Sequence, residues 1–183
     1  MGVPTYYSRL LDDASLNMDK CKNIRLFISG SAPLTEKLQI DFLERSGKKI
    51  IERYGMSEAG IITATPPGSK DSFGTVGICL ENYQLRIVDD NNIELGEGEV
   101  GEIQIKGPSL FNGYWRSPQK TESEFIADKW FKTGDIGYQS TVHDLKLLIL
   151  RFAQDKSFSA ESGGGGPQSN MNLVPYLIHM ACL

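Results

Sequence analysis

A cluster of small residues marks one place where a flat ligand could approach the backbone. It follows the run Arg25–Ser29 and consists of Gly30, Ser31, Ala32 and Pro33. Small side chains at the end of a strand leave room for a ring that a bulky side chain would exclude. In open α/β sheets, ligands bind outside the carboxyl ends of the strands, where this cluster would lie. An ordinary strand-to-helix turn has the same composition, so the residues alone leave both interpretations open.

A second cluster combines an aromatic ring, a hydroxyl and a carboxylate. Its members are Tyr54, Gly55, Met56, Ser57 and Glu58. Tyr54 offers a ring face to a base, and Gly55 permits an unusual backbone angle. Ser57 offers a hydroxyl to a phosphate oxygen, and Glu58 offers the hard oxygen ligand that Mg²⁺ prefers. A turn with one exposed acid would also fit these residues.

A third candidate is Asp135, which directly follows the segment Trp130–Gly134. A carboxylate after a glycine turn can accept hydrogen bonds from both hydroxyls of a ribose. For an isolated Gly-Asp pair, the commoner alternative is a turn aspartate that binds its own backbone.

The elements that must position the first two clusters are predicted from hydrophobic periodicity. We expect a helix over residues 1–20, a strand over Arg25–Gly30, a helix over Pro33–Arg45 and a strand over Lys49–Tyr54. A strand, a helix and a strand in this order are typical of a βαβ unit with a parallel sheet. Both clusters would then lie at the same edge of that sheet.

The pattern changes after Pro66-Pro67-Gly68 to short alternating strands with glycine-rich turns, which are typical of an antiparallel sheet or barrel. We expect strands over Tyr83–Val88, Gly101–Gly107 and Trp130–Thr133, and helices over Thr121–Ile126 and Val142–Phe152.

The predicted fold class is α/β, a fragment of a doubly wound parallel-sheet subdomain followed by a small antiparallel β-barrel-like subdomain. The first would occupy residues 1–70 and the second residues 71–137. Residues 138–183 would form an atypical, partly disordered tail.

Composition excludes several classes of function. The net charge of −4 without a basic run argues against nucleic-acid binding. Three separated cysteines do not form a zinc motif, and they suit a reducing compartment. No apolar run approaches the roughly 20 residues that span a bilayer. We therefore expect a cytoplasmic protein, with a mitochondrial one after loss of a transit segment as the alternative.

Together, the three clusters resemble the adenylate-forming superfamily, which includes acyl-CoA synthetases, luciferases and the adenylation domains of peptide synthetases. The resemblance runs from about Gly2 to Gly137 and includes Gly74–Gly77, Gly98–Ile103 and Gly107–Trp115. It implies a two-step reaction with ATP, a carboxylic acid and coenzyme A as small-molecule partners. The carboxylate attacks the α-phosphorus of ATP, and the thiol of coenzyme A then takes the acyl group.

The resemblance also implies roles for individual residues. Residues 30–33 would pack on one side of adenine and Tyr54 on the other. Ser57 stands where the family usually has threonine, beside the α-phosphate. Glu58 would bind Mg²⁺, and Asp135 would bind the ribose of ATP or AMP.

The acyl substrate is less determined. Glu52-Arg53 before Tyr54 resembles the malonyl-CoA synthetase branch, and the Arg53 guanidinium could bind the second carboxylate of malonate or methylmalonate. A structural salt bridge of Arg53 and a medium- or long-chain fatty acid substrate remain the alternatives.

The sequence also departs from the family. No glycine-rich phosphate loop with a lysine precedes Ser29, and residues 138–183 do not match the family's ribose-binding arginine, hinge or lid. We therefore expect this chain to be a fragment of an ATP-dependent acyl-CoA ligase that is inactive by itself, with a non-catalytic truncated product that at most binds nucleotide as the alternative.

Overall fold

Two sheets carry the part of the chain that the computed structural model describes, which comprises residues 1–69, 73–142 and 145–151. The first sheet contains, in spatial order, β1 (Phe27–Ser29), β2 (Ile50–Met56), β3 (Gly60–Ala64) and β4 (Ile78–Cys79). The second contains β5 (Gln84–Val88), β6 (Gly101–Lys106), β7 (Phe125–Ile126), β8 (Trp130–Val142) and β9 (Leu145–Arg151). Its order is β5, β6, β8, β7, and β9 also pairs with β8.

The helices are α1 (Pro4–Asp12), α2 (Met18–Cys21), α3 (Glu36–Ser46) and α4 (Pro118–Glu124), and a short 3-10 turn spans Ala127–Lys129. No helix in the described ranges is long and apolar enough to cross a membrane.

The predicted βαβ unit is confirmed. Strands β1 and β2 pair in parallel on either side of α3 in the chain. Helix α3 begins later than predicted because the side chain of Thr35 caps it by accepting the backbone N–H of Leu38. It ends at Gly47, whose φ of 67° suits a left-handed cap. The cluster of small residues therefore lies between β1 and the cap of α3.

The single helix predicted over residues 1–20 is wrong, because α1 and α2 are separated by a loop. The guanidinium of Arg45, on α3, donates hydrogen bonds to the carbonyls of Leu11, Asp13 and Leu16. The charged donor satisfies carbonyls that a continuous helix would have paired internally.

Strands β5, β6 and β8 form the antiparallel sheet that the sequence predicted, and β9 extends this sheet by pairing with β8. The helix predicted over Thr121–Ile126 is shifted, because α4 begins at Pro118 with Ser117 at the N-cap position. Its last predicted residues instead form β7, where Phe125 pairs with Phe131 and packs against it.

The helix predicted over Val142–Phe152 is wrong. Strand β8 continues to Val142, and β9 returns along it until Arg151 pairs with Ile136. Leu148 is only 2% exposed, and its backbone bonds to Val76 and Gly77. Burial and pairing on both sides stabilise an extended segment that periodicity alone cannot distinguish from a helix. Residues 152–183 lie outside the described residues.

The main hydrophobic core draws on both sheets. Its buried members are Tyr54, Ala59, Ile62, Val76, Ile87, Ile103, Ile105, Phe131 and Leu148. A second core under α1 and α3 contains Tyr7, Leu34, Phe42 and Ile50. The subdomain boundary at residue 70 stays a prediction.

Candidate functional site

The first cluster contacts Arg53, the residue that precedes the second cluster. Gly30 is buried, and a Cβ atom there would lie 2.6 Å from Nε of Arg53. Ser31 has a φ of 64°, and its Oγ accepts a hydrogen bond from Nη2 of Arg53 at 3.3 Å. Ala32 is half-buried and Pro33 is exposed. The glycine therefore makes room for the guanidinium.

The second cluster lies on the hairpin between β2 and β3. The strand ends later than predicted, at Met56, and Ser57 and Glu58 lie in the turn. The pairing register shifts between Tyr54 and Gly55. A Cβ atom on Gly55 would lie 2.2 Å from the carbonyl oxygen of Gly60, so the close approach of the two strands requires glycine there.

Glu58 is held from the loop between β6 and α4. The Tyr114 hydroxyl donates a hydrogen bond to Oε1 of Glu58 at 3.1 Å. The backbone N–H of Phe111 donates to the carbonyl of Glu58 at 2.8 Å. Burial, followed by the negative charge of Glu58, raises the pKa of Tyr114 to about 12. The phenol is therefore a neutral donor near pH 7.

Asp135 joins the second cluster. Its Oδ2 accepts a hydrogen bond from the Tyr54 hydroxyl at 2.6 Å. Residues 133–135 of β8 lie opposite a single residue of β6, Ile103, and Thr133 donates to its carbonyl at 2.8 Å. Such a bulge redirects a side chain out of the regular strand pattern. Asp135 itself is exposed and open to solvent.

Tyr54 is 7% exposed and belongs to the main core. Burial first, and then the negative charge of Asp135, raise the pKa of Tyr54 above its ordinary value. Its hydroxyl stays protonated and orients Asp135. Stacking of Tyr54 on adenine stays a prediction, and little of its side chain is open to a ligand.

Arg53 has an unsatisfied donor. Its Nε is buried and lacks a hydrogen-bond partner within the described residues. The ion pairs found in that part of the chain are Lys22–Asp19 and Lys37–Asp41, and both are on helices or their ends. The structural salt bridge considered for Arg53 is therefore absent from the described residues.

Glu52 is a feature that sequence reasoning missed. It is 7% exposed, accepts a hydrogen bond from Nε2 of Gln39 at 3.4 Å and is also bonded by the backbone of Leu34. Burial raises its pKa to about 8, against the lowering effect of Leu34. Like Nε of Arg53, the buried hydroxyls of Ser29 and Thr65 lack hydrogen-bond partners among the described residues. The alternation of β2 could have placed Glu52 inside, on the same face as Ile50 and Tyr54.

The arrangement can accommodate a cation only together with a ligand. In residues 1–69, 73–142 and 145–151, no group of three or more His, Cys, Asp or Glu side chains could hold a metal. Mg²⁺ commonly binds to one or two carboxylates plus the phosphates of a substrate. Glu58 therefore fits a Mg²⁺ that arrives with ATP, and it does not fit a resident metal.

Comparisons of the sequence show which known proteins this chain is similar to. A family model described as AMP-binding enzyme matches residues 1–115. The malonate–CoA ligase of Arabidopsis thaliana is 37% identical, over 74% of this chain and 23% of its own length.

Solved structures extend the similarity. A crystal structure of apo MatB from Rhodopseudomonas palustris is 40% identical with a TM-score of 0.78, over 82% of this chain and 29% of that one. A malonyl-CoA ligase complex with methylmalonyl-CoA and AMP is 34% identical with a TM-score of 0.69, over 83% and 33%.

A second family model, described as E3 ubiquitin-protein ligase UBR4, matches residues 120–183. The structure describes about half of that range, and the match covers too little of the chain to establish membership.

The chain spans about a quarter of the length of the curated relatives it matches. The match over residues 1–115 covers more than half of the chain, and the relatives within it are CoA ligases. The chain therefore belongs to the AMP-binding enzyme family of adenylate-forming CoA ligases.

Proposed function

We propose that this chain provides the adenosine-binding and acyl-binding part of an ATP-dependent ligase that acts on malonate or methylmalonate. The reaction would join the acid to AMP with release of pyrophosphate and then transfer the acyl group to coenzyme A. The proposal rests mainly on one observation, the unpaired and buried Nε of Arg53.

A guanidinium whose Nε lacks a partner among the described residues favours an anionic substrate. Arginine stays protonated in proteins, so burial of an unsatisfied donor costs free energy until an acceptor arrives. Its planar fork binds a carboxylate with two parallel hydrogen bonds. Gly30 makes room for the guanidinium itself, because a Cβ atom there would lie 2.6 Å from Nε. The second carboxylate of malonate is an acceptor of the required shape, and the methyl end of a fatty acid is not.

The adenosine part of the proposal rests on Asp135. Its Oδ2 is engaged by the neutral Tyr54 hydroxyl, which fixes the direction of the carboxylate. The other carboxylate oxygen can accept hydrogen bonds from ribose hydroxyls on the solvent side, because Asp135 is exposed. In this arrangement Gly30, Ser31, Ala32 and Pro33 would pack on adenine, and Ser57 would donate to the α-phosphate.

Glu58 would hold the Mg²⁺ that accompanies ATP. When bound, that cation would neutralise phosphate charge as the acyl carboxylate approaches. The protein's share of catalysis would be orientation of the two reactants and stabilisation of charge by fixed donors.

The test is calorimetric titration of the chain with AMP, followed by malonate or octanoate. We expect malonate to bind and octanoate to be rejected. Arg53→Ala should weaken the binding of malonate roughly tenfold or more, because a hydrogen-bonded charge pair contributes about 1.5–3 kcal/mol. Arg53→Lys should recover part of the loss, since it keeps the charge and loses the fork. Arg116→Ala, which removes an exposed arginine, is the matched control.

Each arm can fail separately. Tight octanoate binding that is indifferent to Arg53 would replace the dicarboxylate with a fatty acid. Failure of AMP to bind, or an unchanged AMP affinity in Asp135→Asn, would remove the adenosine assignment. We expect no pyrophosphate release from ATP, Mg²⁺ and malonate by this chain alone, and steady release would contradict that expectation.

A further inference from the structure

The loop over residues 107–117, between β6 and α4, holds both the backbone and the side chain of Glu58. The backbone N–H of Phe111 donates to the Glu58 carbonyl at 2.8 Å. The Tyr114 hydroxyl donates to Oε1 of the same residue at 3.1 Å, across 56 residues of sequence. Two contacts on one turn residue limit both its backbone position and its rotamer.

Tyr114 is itself well fixed. Its backbone N–H donates to Oγ1 of Thr121 at 2.9 Å, and its ring stands edge-on against Phe111 with centroids 4.7 Å apart. Nζ of Lys120, a residue of α4, lies 4.3 Å from the centroid of the Tyr114 ring. Gly113 allows the close approach, because a Cβ atom there would lie 2.7 Å from Cγ2 of Thr121. The hydroxyl is thus in place before any ligand binds.

The hydrogen bond makes the two carboxylate oxygens of Glu58 unequal. Oε1 accepts from Tyr114, whereas Oε2 accepts no hydrogen bond from the described residues. A carboxylate with one oxygen engaged is suited to bind a cation through the other oxygen alone. Mg²⁺ requires a compact octahedral shell, whereas Ca²⁺ readily takes both oxygens of a carboxylate.

We propose that Tyr114 is a positioning residue that holds Glu58 for one-oxygen binding of Mg²⁺ and disfavours Ca²⁺. The inference rests on the proposed binding of ATP with its cation. It assigns to Tyr114 a part in cation selectivity, beyond the stability that its ring contacts give to the loop.

The experiment measures the affinity of the chain for ATP with Mg²⁺, with Ca²⁺ and without a divalent cation. Tyr114→Phe keeps the ring and removes the hydroxyl. We expect it to weaken ATP binding with Mg²⁺ roughly tenfold, as the loss of partners that orient metal ligands commonly does. Binding with Ca²⁺ should be unchanged or tighter, because both oxygens of Glu58 become available.

Tyr83→Phe is the matched control. The Tyr83 hydroxyl donates to the carbonyl of Ala59, the residue that follows Glu58, so the variant also removes a hydroxyl that bonds to the same turn. We expect the ratio of Mg²⁺-supported to Ca²⁺-supported affinity to stay unchanged there. In a Glu58→Gln background, Tyr114→Phe should have no further effect on that ratio.

The outcomes separate the two levels of the proposal. If the unsubstituted chain binds ATP with Mg²⁺ and Tyr114→Phe leaves the ratio unchanged, or lowers both affinities equally, Tyr114 is only structural. If the unsubstituted chain does not bind ATP under any condition, the proposed function fails, and the positioning role fails with it.

Discussion

The two faces of strand β2 carry an acid and a base that cannot meet. Glu52 lies on the inward face with Ile50 and Tyr54, whereas Arg53 lies on the outward face and is half-buried. Successive side chains of a strand point to opposite sides of the sheet, so these neighbours in sequence cannot form an ion pair. Among the described residues, Glu52 has no cation as an ion-pair partner and Arg53 has no anion.

Glu52 and Arg53 differ in how their charges can be neutralised. A buried carboxylate can be neutralised by a proton, and burial raises the pKa of Glu52 to about 8. A guanidinium cannot lose its proton in this way. Under the proposed function, Arg53 takes an anion from the substrate, whereas a proton is enough to neutralise Glu52.

The largest expected effect is on the inward face. The folded chain keeps the Glu52 proton up to about pH 8, whereas the unfolded chain releases it near 4.5. Stability from this group is therefore fully present below about pH 4.5 and decreases as pH rises to about 8, by up to about 5 kcal/mol. Glu52→Gln should remove this slope. Urea unfolding at several pH values from 5 to 8.5 measures it.

Glu44→Gln is the control for this prediction, because it removes an exposed acid from α3. Its curve of unfolding free energy against pH should run parallel to that of the unsubstituted chain. A Glu52→Gln curve with the same slope as well would mean that Glu52 is charged inside the fold.

A smaller loss of stability is expected from a substitution in the hairpin of β2 and β3. Gly55→Ala would place a Cβ atom 2.2 Å from the Gly60 carbonyl oxygen, which belongs to the backbone and cannot rotate away. We expect a cost of about 3 kcal/mol in unfolding free energy, as for other overpacked sites. Circular dichroism during urea unfolding at pH 6 measures it.

Gly60→Ala is the matched control in the same hairpin. Its φ is 74° and the space around it is open, so the cost is conformational only, about 1–2 kcal/mol. Equal losses in the two variants would show that the close approach of β2 and β3 relaxes easily.

The sequence predicted the elements whose periodicity and end signals agree. The βαβ unit follows from two short apolar runs around an amphipathic helix, which Gly47 caps. Strand β9 could not be predicted in this way. Its run of leucines around Leu148 fits a helix or a buried strand equally, and the choice depends on backbone bonds to residues more than 70 positions earlier.

The candidate site residues could be predicted from their residue types, but their contacts with one another could not, because the partners are far apart in sequence. Tyr54 and Asp135 are 81 residues apart, and Glu58 and Tyr114 are 56 apart. Each pair meets because one member lies at a bulge or turn, where the regular direction of side chains is broken. No pattern within a single segment carries that information.

The smallest expected effect on stability is on the outward face. In the described fold Arg53 makes one hydrogen bond, to Ser31 at 3.3 Å, and leaves a buried donor unpaired. Arg53→Met would remove both the weak bond and the unpaired donor, so we expect less than about 0.5 kcal/mol change in unfolding free energy. Malonate should raise the melting temperature of the unsubstituted chain and leave that of Arg53→Met unchanged, because a ligand stabilises only the form that binds it.

A loss above about 2 kcal/mol in Arg53→Met would identify a structural partner for the guanidinium and restore the salt-bridge alternative. Ser31→Ala separates the two explanations, since it removes the neighbour that Arg53 contacts and keeps the charge. If Arg53 awaits a ligand, Ser31→Ala should leave both the stability and the malonate response nearly unchanged. The outward face of β2 would then serve substrate binding and the inward face would serve stability, because only a charge that has no partner in the described fold can pair with a charge of the substrate.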